Sequence, residues 1–176
     1  MRPREKPLPF VPRPFVEEPL GGWLGRIAGF YRMDIDELSA ELGVDLGLPS
    51  RCRDWLFLPP QPLESLTRIG YLTHTAPTAL RALEVDESWR TSPSRYWFCR
   101  SCLFVNPLDV SSPRWIKDWL NPDNETCAVH GDLENLESGD LSRHRNFNAL
   151  LKLVSADSNI WQTRVEARRR RIRGGR

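Results

Sequence analysis

Residues 18–31, EPLGGWLGRIAGFY, place large apolar side chains three and four positions apart, the spacing of one helix face. The apolar residues of this face are Leu20, Trp23, Leu24, Ile27, Phe30 and Tyr31. Four glycines interrupt the stretch, and each weakens a helix by about 1 kcal/mol relative to alanine. Close approach of another helix is the usual reason for such glycines. The stretch therefore predicts a helix packed tightly against a neighbour.

A second helix is expected directly after the first. Asp34 is suited to cap its start, Glu37 to complete a capping box, and Gly43 to end it. Two short helices joined by a tight turn form a helical hairpin, which includes the helix-turn-helix type. The sequence thus predicts one helix pair at this end of the chain.

The same arrangement returns between residues 63 and 83. A turn is expected at residues 73–76, and Pro77 follows it at a position where the first turn of a helix tolerates proline. The apolar faces are Leu63, Leu66 and Ile69 before the turn, and Leu80 and Leu83 after it. Two helix pairs in tandem are therefore predicted.

The two ends of the chain differ from this middle part. Residues 1–16 have prolines at 7, 9, 12 and 14, which bias the backbone away from helix. This arm either stays disordered or lies along a partner as a polyproline-type strand. Near the other end, Phe147, Leu150, Leu151 and Val154 predict a helix, and Ile160, Trp161 and Val165 predict a last one.

The cysteines form two closely spaced pairs. Cys99 and Cys102 make a C-x2-C pair, and Cys127 and His130 make a C-x2-H pair; 24 residues separate the two pairs. Zinc takes four tetrahedral sulfur or nitrogen ligands, which two such pairs on tight turns supply. The spacing predicts one structural Zn²⁺ per chain. Cys52 is expected to be a buried apolar thiol.

A catalytic metal is disfavoured by the same residues. Catalytic zinc keeps one position open for water, whereas here all four positions have candidate ligands. No His-x-Glu segment of the deaminase type occurs, and His144-Arg145-Asn146 has no second nuclease motif beside it. We therefore expect no enzymatic activity.

Charge is concentrated at the C-terminus. Residues 164–176 hold seven arginines and one acid, whereas the rest of the chain has 18 basic and 22 acidic residues. This segment is either a solvated end or, as we favour, an arm that contacts the phosphates of DNA or RNA. The predicted nucleic-acid-binding residues are Arg164, Arg168, Arg169, Arg170, Arg171 and Arg173.

The fold class follows from these elements. With 176 residues, the chain is expected to be mostly α, with tandem N-terminal helix pairs, a small zinc-ribbon-like module and C-terminal helices. The expected divisions are an extended arm (1–16), a helix-turn-helix-like domain (17–88), a zinc-binding module (89–140) and C-terminal helices with the basic tail (141–176). No segment has the length of a membrane span or the form of a secretory signal, which predicts a cytoplasmic protein without membrane contact.

Seven tryptophans are many for this length. Trp115 and Trp119 lie four apart, so they are expected to share a helix face. Core packing is the first explanation, and anchoring of a partner is the alternative.

Several of these motifs together resemble the TniQ/TnsD family. They are Glu18-x-Leu20-x-x-Trp23-Leu24-x-Arg26-Ile27-Ala28, Cys99-x-x-Cys102-Leu103, Arg114-Trp115 and Cys127-x-x-His130-Gly131-x-Leu133. The resemblance covers about residues 12–135. The sequence departs from the family pattern in two respects. Many relatives have a further cysteine pair after the His-Gly, which is missing here, and longer members continue into helical DNA-reading domains.

The resemblance implies a non-enzymatic adaptor in target selection by DNA transposons. Such proteins bridge a TnsC-like AAA+ ATPase on DNA to a target-recognition complex, which in some members is a CRISPR effector. Partner contacts are assigned to Trp23 and Arg26 and to Trp115 and Trp119. The alternative is a sequence-specific DNA-binding protein, which reads a target site itself or acts as a regulator.

Overall fold

The computed structural model describes residues 4–48, 54–89, 95–104 and 113–156, and within them the protein is mostly helical. Two short antiparallel two-stranded sheets accompany the helices. The helices are α1 (Leu20–Phe30), α2 (Ile35–Leu42), α3 (Leu63–Thr73), α4 (Pro77–Ala82), α5 (Arg100–Phe104), α6 (Ser138–Arg143) and α7 (147–156), and two short 3₁₀ helices span Glu87–Trp89 and Lys117–Leu120. The strands are β1 (Arg95–Phe98), β2 (Thr126–Cys127), β3 (Gly131–Asp132) and β4 (Glu134–Glu137). The predicted fold class is therefore confirmed.

The first helix pair has the predicted caps. The Asp34 side chain accepts from the backbone N–H groups of Asp36 and Glu37, and the Glu37 side chain accepts from the Asp34 N–H. Gly43 ends α2 in the left-handed region, with φ of 65°, where glycine has no steric penalty. Local chemistry thus fixes both ends of α2.

The glycines of α1 allow close approach, but mainly of a segment that is not a helix. A Cβ atom at Gly21 or Gly25 would overlap the backbone carbonyl or the ring of Trp55, which lies in a turn. Only Gly29 faces a helix, because a Cβ there would lie 2.9 Å from the Asn148 side chain of α7. The expectation that another helix approaches these glycines is therefore wrong for Gly21 and Gly25 and holds for Gly29.

The second helix pair also forms where expected, with Pro77 in the first turn of α4. Leu66, Ile69 and Leu80 are buried. Leu63, in contrast, is 67% exposed, because it is the first residue of α3 and lies outside the packed face. The apolar face of α3 therefore begins at Leu66.

The proline-rich arm is extended along the protein's own helices over its described residues. The Leu8 N–H donates to the Leu72 carbonyl, Trp23 Nε1 donates to the Pro12 carbonyl at 2.7 Å, and Arg68 Nη2 donates to the Arg4 carbonyl. The sequence predicted that this arm is either disordered or lies along a partner, whereas its described residues lie along the helices of the same chain.

The region between Pro113 and Leu120 differs from the predicted helix. The Lys117 N–H donates to the Glu17 carbonyl at 2.7 Å instead of to a residue four positions earlier in its own segment, so no α-helix forms there. Trp115 lies before the 3₁₀ helix and Trp119 within it. Their rings still meet edge to face, with centroids 5.7 Å apart.

The helical part and the metal-ligand part share one hydrophobic core. Buried side chains from Leu8 in the arm to Val154 in α7 form one cluster. The segment before α7 lies against the first helix pair, because Ile35 donates to the Arg145 carbonyl and Asn146 Nδ2 donates to the Met33 carbonyl. No helix among the described residues is long and apolar enough to span a membrane.

Candidate metal centre

The four predicted metal ligands come together at the junction of β1, α5 and the β2–β3 hairpin. Cys99 lies between β1 and α5, and Cys102 lies within α5. Cys127 ends β2, and His130 lies in the turn before β3. That turn closes with Gly131 at φ of 84°, a conformation that side chains other than glycine rarely adopt. The hairpin thereby directs Cys127 and His130 toward the first pair.

The separations of the donor atoms fit a tetrahedral metal ion. All four donors lie within 4.8 Å of one another. The sulfurs of Cys102 and Cys127 are 3.6 Å apart, and His130 Nδ1 lies 3.5, 3.2 and 3.8 Å from the sulfurs of Cys99, Cys102 and Cys127. Zinc bonds of about 2.3 Å to sulfur and about 2.0 Å to nitrogen separate tetrahedral donors by roughly 3.5–3.8 Å. The residues therefore fit zinc.

The thiols of the cluster differ in pKa. Burial raises the pKa of Cys127, but the backbone N–H groups of Val129 and His130 and the side chains of His130 and Cys102 lower it to about 6. Burial, with the sulfurs of Cys127 and Cys99, raises the pKa of Cys102 to about 12. Without a metal ion the raised pKa keeps the Cys102 thiol protonated near neutral pH, whereas a bound divalent ion would stabilise its thiolate.

The donor set is that of a structural centre. Three cysteines and one histidine complete four-coordinate zinc, and no fifth His, Cys, Asp or Glu joins the group among the side chains that the structure describes. Cys99 and Cys127 are buried, Cys102 is half-buried and His130 is exposed. A metal ion there would cross-link two segments of the chain.

The four residues assigned to partner contact lie inside the protein. Trp23 and Trp115 are fully buried, and Trp119 and Arg26 nearly so. Arg26 binds both carboxylate oxygens of Glu18 at 2.7 Å and also donates to the Arg13 carbonyl at 2.8 Å. All four side chains are thus packed inside the protein, as the core explanation for the tryptophans expects.

The other singled-out residues divide into two groups. Cys52 and the tail arginines (Arg164, Arg168, Arg169, Arg170, Arg171 and Arg173) lie outside the described residues. His74 caps the end of α3 in the left-handed region, and His144 Nδ1 lies 2.8 Å from the Asp140 carbonyl at the end of α6. Neither histidine joins the metal ligands.

Sequence reasoning missed an aromatic groove between the arm and α1. Phe10 and Phe30 are each 53% exposed, and their ring centroids lie 4.6 Å apart. Together with Pro113, Phe147 and Leu151 they line a groove of about 310 Å³. No local pattern predicts it, because its residues come from four separate segments.

A smaller pocket of about 110 Å³ lies beside β1. Its aromatic lining includes Phe57, Trp89, Tyr96, Trp97 and Trp119. The only feature of the sequence that pointed to this pocket was its high tryptophan content.

Comparison of the chain with protein-family models, with curated proteins and with solved structures gives no match.

Proposed function

We propose that this protein is a non-enzymatic adaptor in DNA transposition, which bridges a AAA+ ATPase on DNA to a target-recognition complex, as the resemblance to the TniQ/TnsD family implies. A CRISPR effector is one example of such a target-recognition complex. The observation that supports the proposal most is the closed Cys₃His cluster, which joins the Cys99 and Cys127 segments inside a helical scaffold.

The metal centre supports a scaffolding role over a catalytic one. Catalysis by zinc needs a position at which water or substrate binds the ion, and the four donors here fill the tetrahedron. We therefore expect no metal-dependent cleavage of DNA, RNA or nucleotides. Cleavage that co-purifies with the protein and is lost in the Cys99→Ser variant would contradict the adaptor role.

The outer faces of the helix pairs argue against direct reading of a DNA sequence. A recognition helix presents basic and polar side chains to the major groove. The exposed residues of α2 include Asp36 and Glu37, and α4 exposes one basic residue, Arg81, which pairs with Glu84 at 2.8 Å. Acidic carboxylates repel phosphates, so these helices suit protein contacts better.

The groove between the arm and α1 is the surface to which we assign the ATPase. Exposed aromatic side chains are enriched among residues that dominate interface energies, and Phe10 and Phe30 are held in place. Tyr31 Oη donates to the Phe10 carbonyl at 2.7 Å and accepts from the Phe10 N–H at 3.1 Å. The Phe10 backbone is thus tied to Tyr31, which places the Phe10 ring beside Phe30.

Co-sedimentation with the ATPase tests the proposal. The protein is mixed with a TnsC-like AAA+ ATPase, assembled on duplex DNA with a non-hydrolysable ATP analogue. We expect the wild-type protein to sediment with the ATPase, and the Phe10→Ser/Phe30→Ser variant to bind at least about fivefold more weakly.

Tyr71→Ser is the matched control, because Tyr71 is a similarly exposed aromatic residue on α3. It should bind like the wild type. The absence of an ATPase gene near this one, or binding to one DNA sequence without the ATPase, would favour the sequence-specific DNA-binding alternative.

A further inference from the structure

Arg100 occupies a special place in the metal-binding segment. It lies between the ligands Cys99 and Cys102 in the first turn of α5. When both cysteines bind a metal ion, the backbone on either side of Arg100 is fixed, so the origin of its side chain is fixed as well. The contacts of that side chain therefore determine which other elements are connected to the metal-binding segment.

The guanidinium group of Arg100 first binds β4. Its Nε lies 2.8 and 3.0 Å from the two carboxylate oxygens of Glu134, and its Nη2 lies 2.6 Å from one of them. Glu134 is paired with Phe98 across the β1–β4 sheet, and the guanidinium carbon lies 5.8 Å from the centre of the Phe98 ring. These contacts fix the orientation of the planar guanidinium group of Arg100.

The remaining guanidinium nitrogen of Arg100, Nη1, contacts α7. Arg100 Nη1 donates to the backbone carbonyl of Val154 at 2.8 Å, and the Val154 side chain is fully buried. One planar group thus holds a carboxylate on β4 and a carbonyl on α7 at the same time. Lysine lacks this planar fork, so its single ammonium nitrogen does not reproduce the same pair of contacts.

The opposite end of α7 is held by different contacts. The Asn146 side chain accepts from the Ala149 N–H at 2.9 Å, and Asn148 Nδ2 donates to the Gly29 carbonyl of α1 at 3.0 Å. The first turn of α7 therefore depends on the helix pairs. In its last described turn, Arg100 is the side chain that ties the backbone to the metal segment.

We infer that Arg100 is a positioning residue through which metal binding at the Cys₃His centre holds the C-terminal part of α7. Coupling of this kind is reciprocal, so the contact with α7 must also tighten metal binding by the same factor. The arginine-rich tail follows α7 in the sequence. A consequence for nucleic-acid binding would rest on the proposed function, whereas the coupling itself does not.

Hydrogen exchange measured by mass spectrometry on the full chain tests the coupling. In the zinc-loaded Arg100→Ala variant, we expect the amides of residues 151–156 to exchange about tenfold faster than in the wild type. The amides of residues 95–104 should stay protected. Chelation of zinc from the wild type should speed exchange in both segments.

Cobalt(II) substitution separates positioning from simple loss of structure. The Arg100→Ala variant should keep the cobalt absorption spectrum of the wild type, because all four ligands remain. It should bind cobalt about tenfold more weakly, by reciprocity with the exchange result. Arg100→Lys, which keeps the charge and one of the two contacts, should recover part of both effects.

Arg143→Ala is the matched control, because Arg143 forms an exposed ion pair with Asp140 on α6 at 2.7 Å. It should change neither measurement. Unchanged exchange at residues 151–156 in Arg100→Ala and in the chelated wild type would overturn the inference. If the Arg100→Ala variant does not bind metal, exchange at residues 151–156 is compared between Arg100→Lys and the chelated wild type instead. Unchanged exchange in both would then overturn the inference. None of these measurements uses DNA or the ATPase, so their result is independent of the proposed function.

Discussion

Gly25 is the residue at which the packing of α1 is tightest against a side chain. A Cβ atom there would overlap the six-membered ring of Trp55, which is fully buried and cannot move aside. We predict that Gly25→Ala lowers the free energy of unfolding by about 2–3 kcal/mol, despite the better helix propensity of alanine. Urea denaturation followed by circular dichroism measures the change.

Gly139 offers the control for this substitution. It lies exposed in α6, and its nearest potential contact is Arg143 Nη2 at 4.0 Å. Gly139→Ala should be neutral or should stabilise the protein by about 0.5–1 kcal/mol. Similar destabilisation at both positions would show that the Trp55 contact is not the cause.

The ion pair between Arg26 and Glu18 is the most buried charge pair that the structure describes. Burial raises the pKa of Glu18, and its contacts with Arg26 oppose that rise. We predict that Arg26→Met lowers stability near neutral pH by about 3–5 kcal/mol, because it leaves a buried carboxylate without a partner. Denaturation at several pH values measures this loss.

The stability of the Arg26→Met variant should depend on pH in a defined direction. With Arg26 gone, the pKa of Glu18 in the folded state lies further above its unfolded value. The folded protein then binds the proton more tightly, so stability falls as the pH rises between the two values and returns on acidification. The double variant Glu18→Gln/Arg26→Met has no carboxyl group there, and should not show this dependence. A pH dependence shared by both variants would point to other groups.

At the scale of elements, the sequence predicts what local chemistry decides. The capping box of Asp34 and Glu37 and the end of α2 at Gly43 were predictable, because each depends on residues within one turn. The metal ligands were predictable because zinc imposes its own spacing. The pairing of β1 with β4 was not, because Tyr96 and Leu136 are far apart in the sequence and meet only in the folded chain. The straightened chain at Trp115 likewise depends on a hydrogen bond from Lys117 to the distant Glu17.

A metal ion at the Cys₃His cluster would hold together elements that are too short to be stable alone. The strands β2 and β3 have two residues each, and such hairpins are marginal in water. We predict that Cys99→Ser or Cys127→Ser removes the single zinc ion and unfolds residues 95–104 and 126–137. Metal analysis and hydrogen exchange measure the two effects.

Val129→Ser is the control, because Val129 lies exposed between the ligands Cys127 and His130. It should keep one zinc ion per chain and normal protection. Stoichiometric zinc that survives both cysteine substitutions would refute the ligand assignment.

At the scale of the whole molecule, the arm connects the helix pairs to the metal-ligand part. The Phe15 ring lies between the guanidinium groups of Arg26 on α1 and Arg114 near the 3₁₀ helix, at 4.9 and 4.1 Å. Glu17 forms an ion pair with Arg114. Each guanidinium is thus held by an aromatic face and a carboxylate. Phe15 of the arm therefore contacts both the helix pairs and the segment before the 3₁₀ helix at Lys117–Leu120.

Charge distribution at this scale predicts where nucleic acid binds. Residues 164–176 carry a local charge of +6, from seven arginines and one acid, whereas the rest of the chain is net negative. Each phosphate contact with duplex DNA contributes a slope of about −0.9 to the logarithm of affinity against the logarithm of salt concentration. If four or five arginines engage, we predict a slope of roughly −4, with little sequence preference.

A chain that ends at Gln162 should lose this salt-dependent binding but keep its zinc ion, because all four ligands lie before the deletion. It should also keep its binding to the ATPase, because Phe10 and Phe30 are untouched. Fluorescence anisotropy with both chains on two unrelated duplexes, titrated with salt, makes the measurement. Equal affinity of the two chains would mean that the arginines form only a solvated end. A strong preference of the full chain for one duplex would favour sequence-specific DNA binding instead.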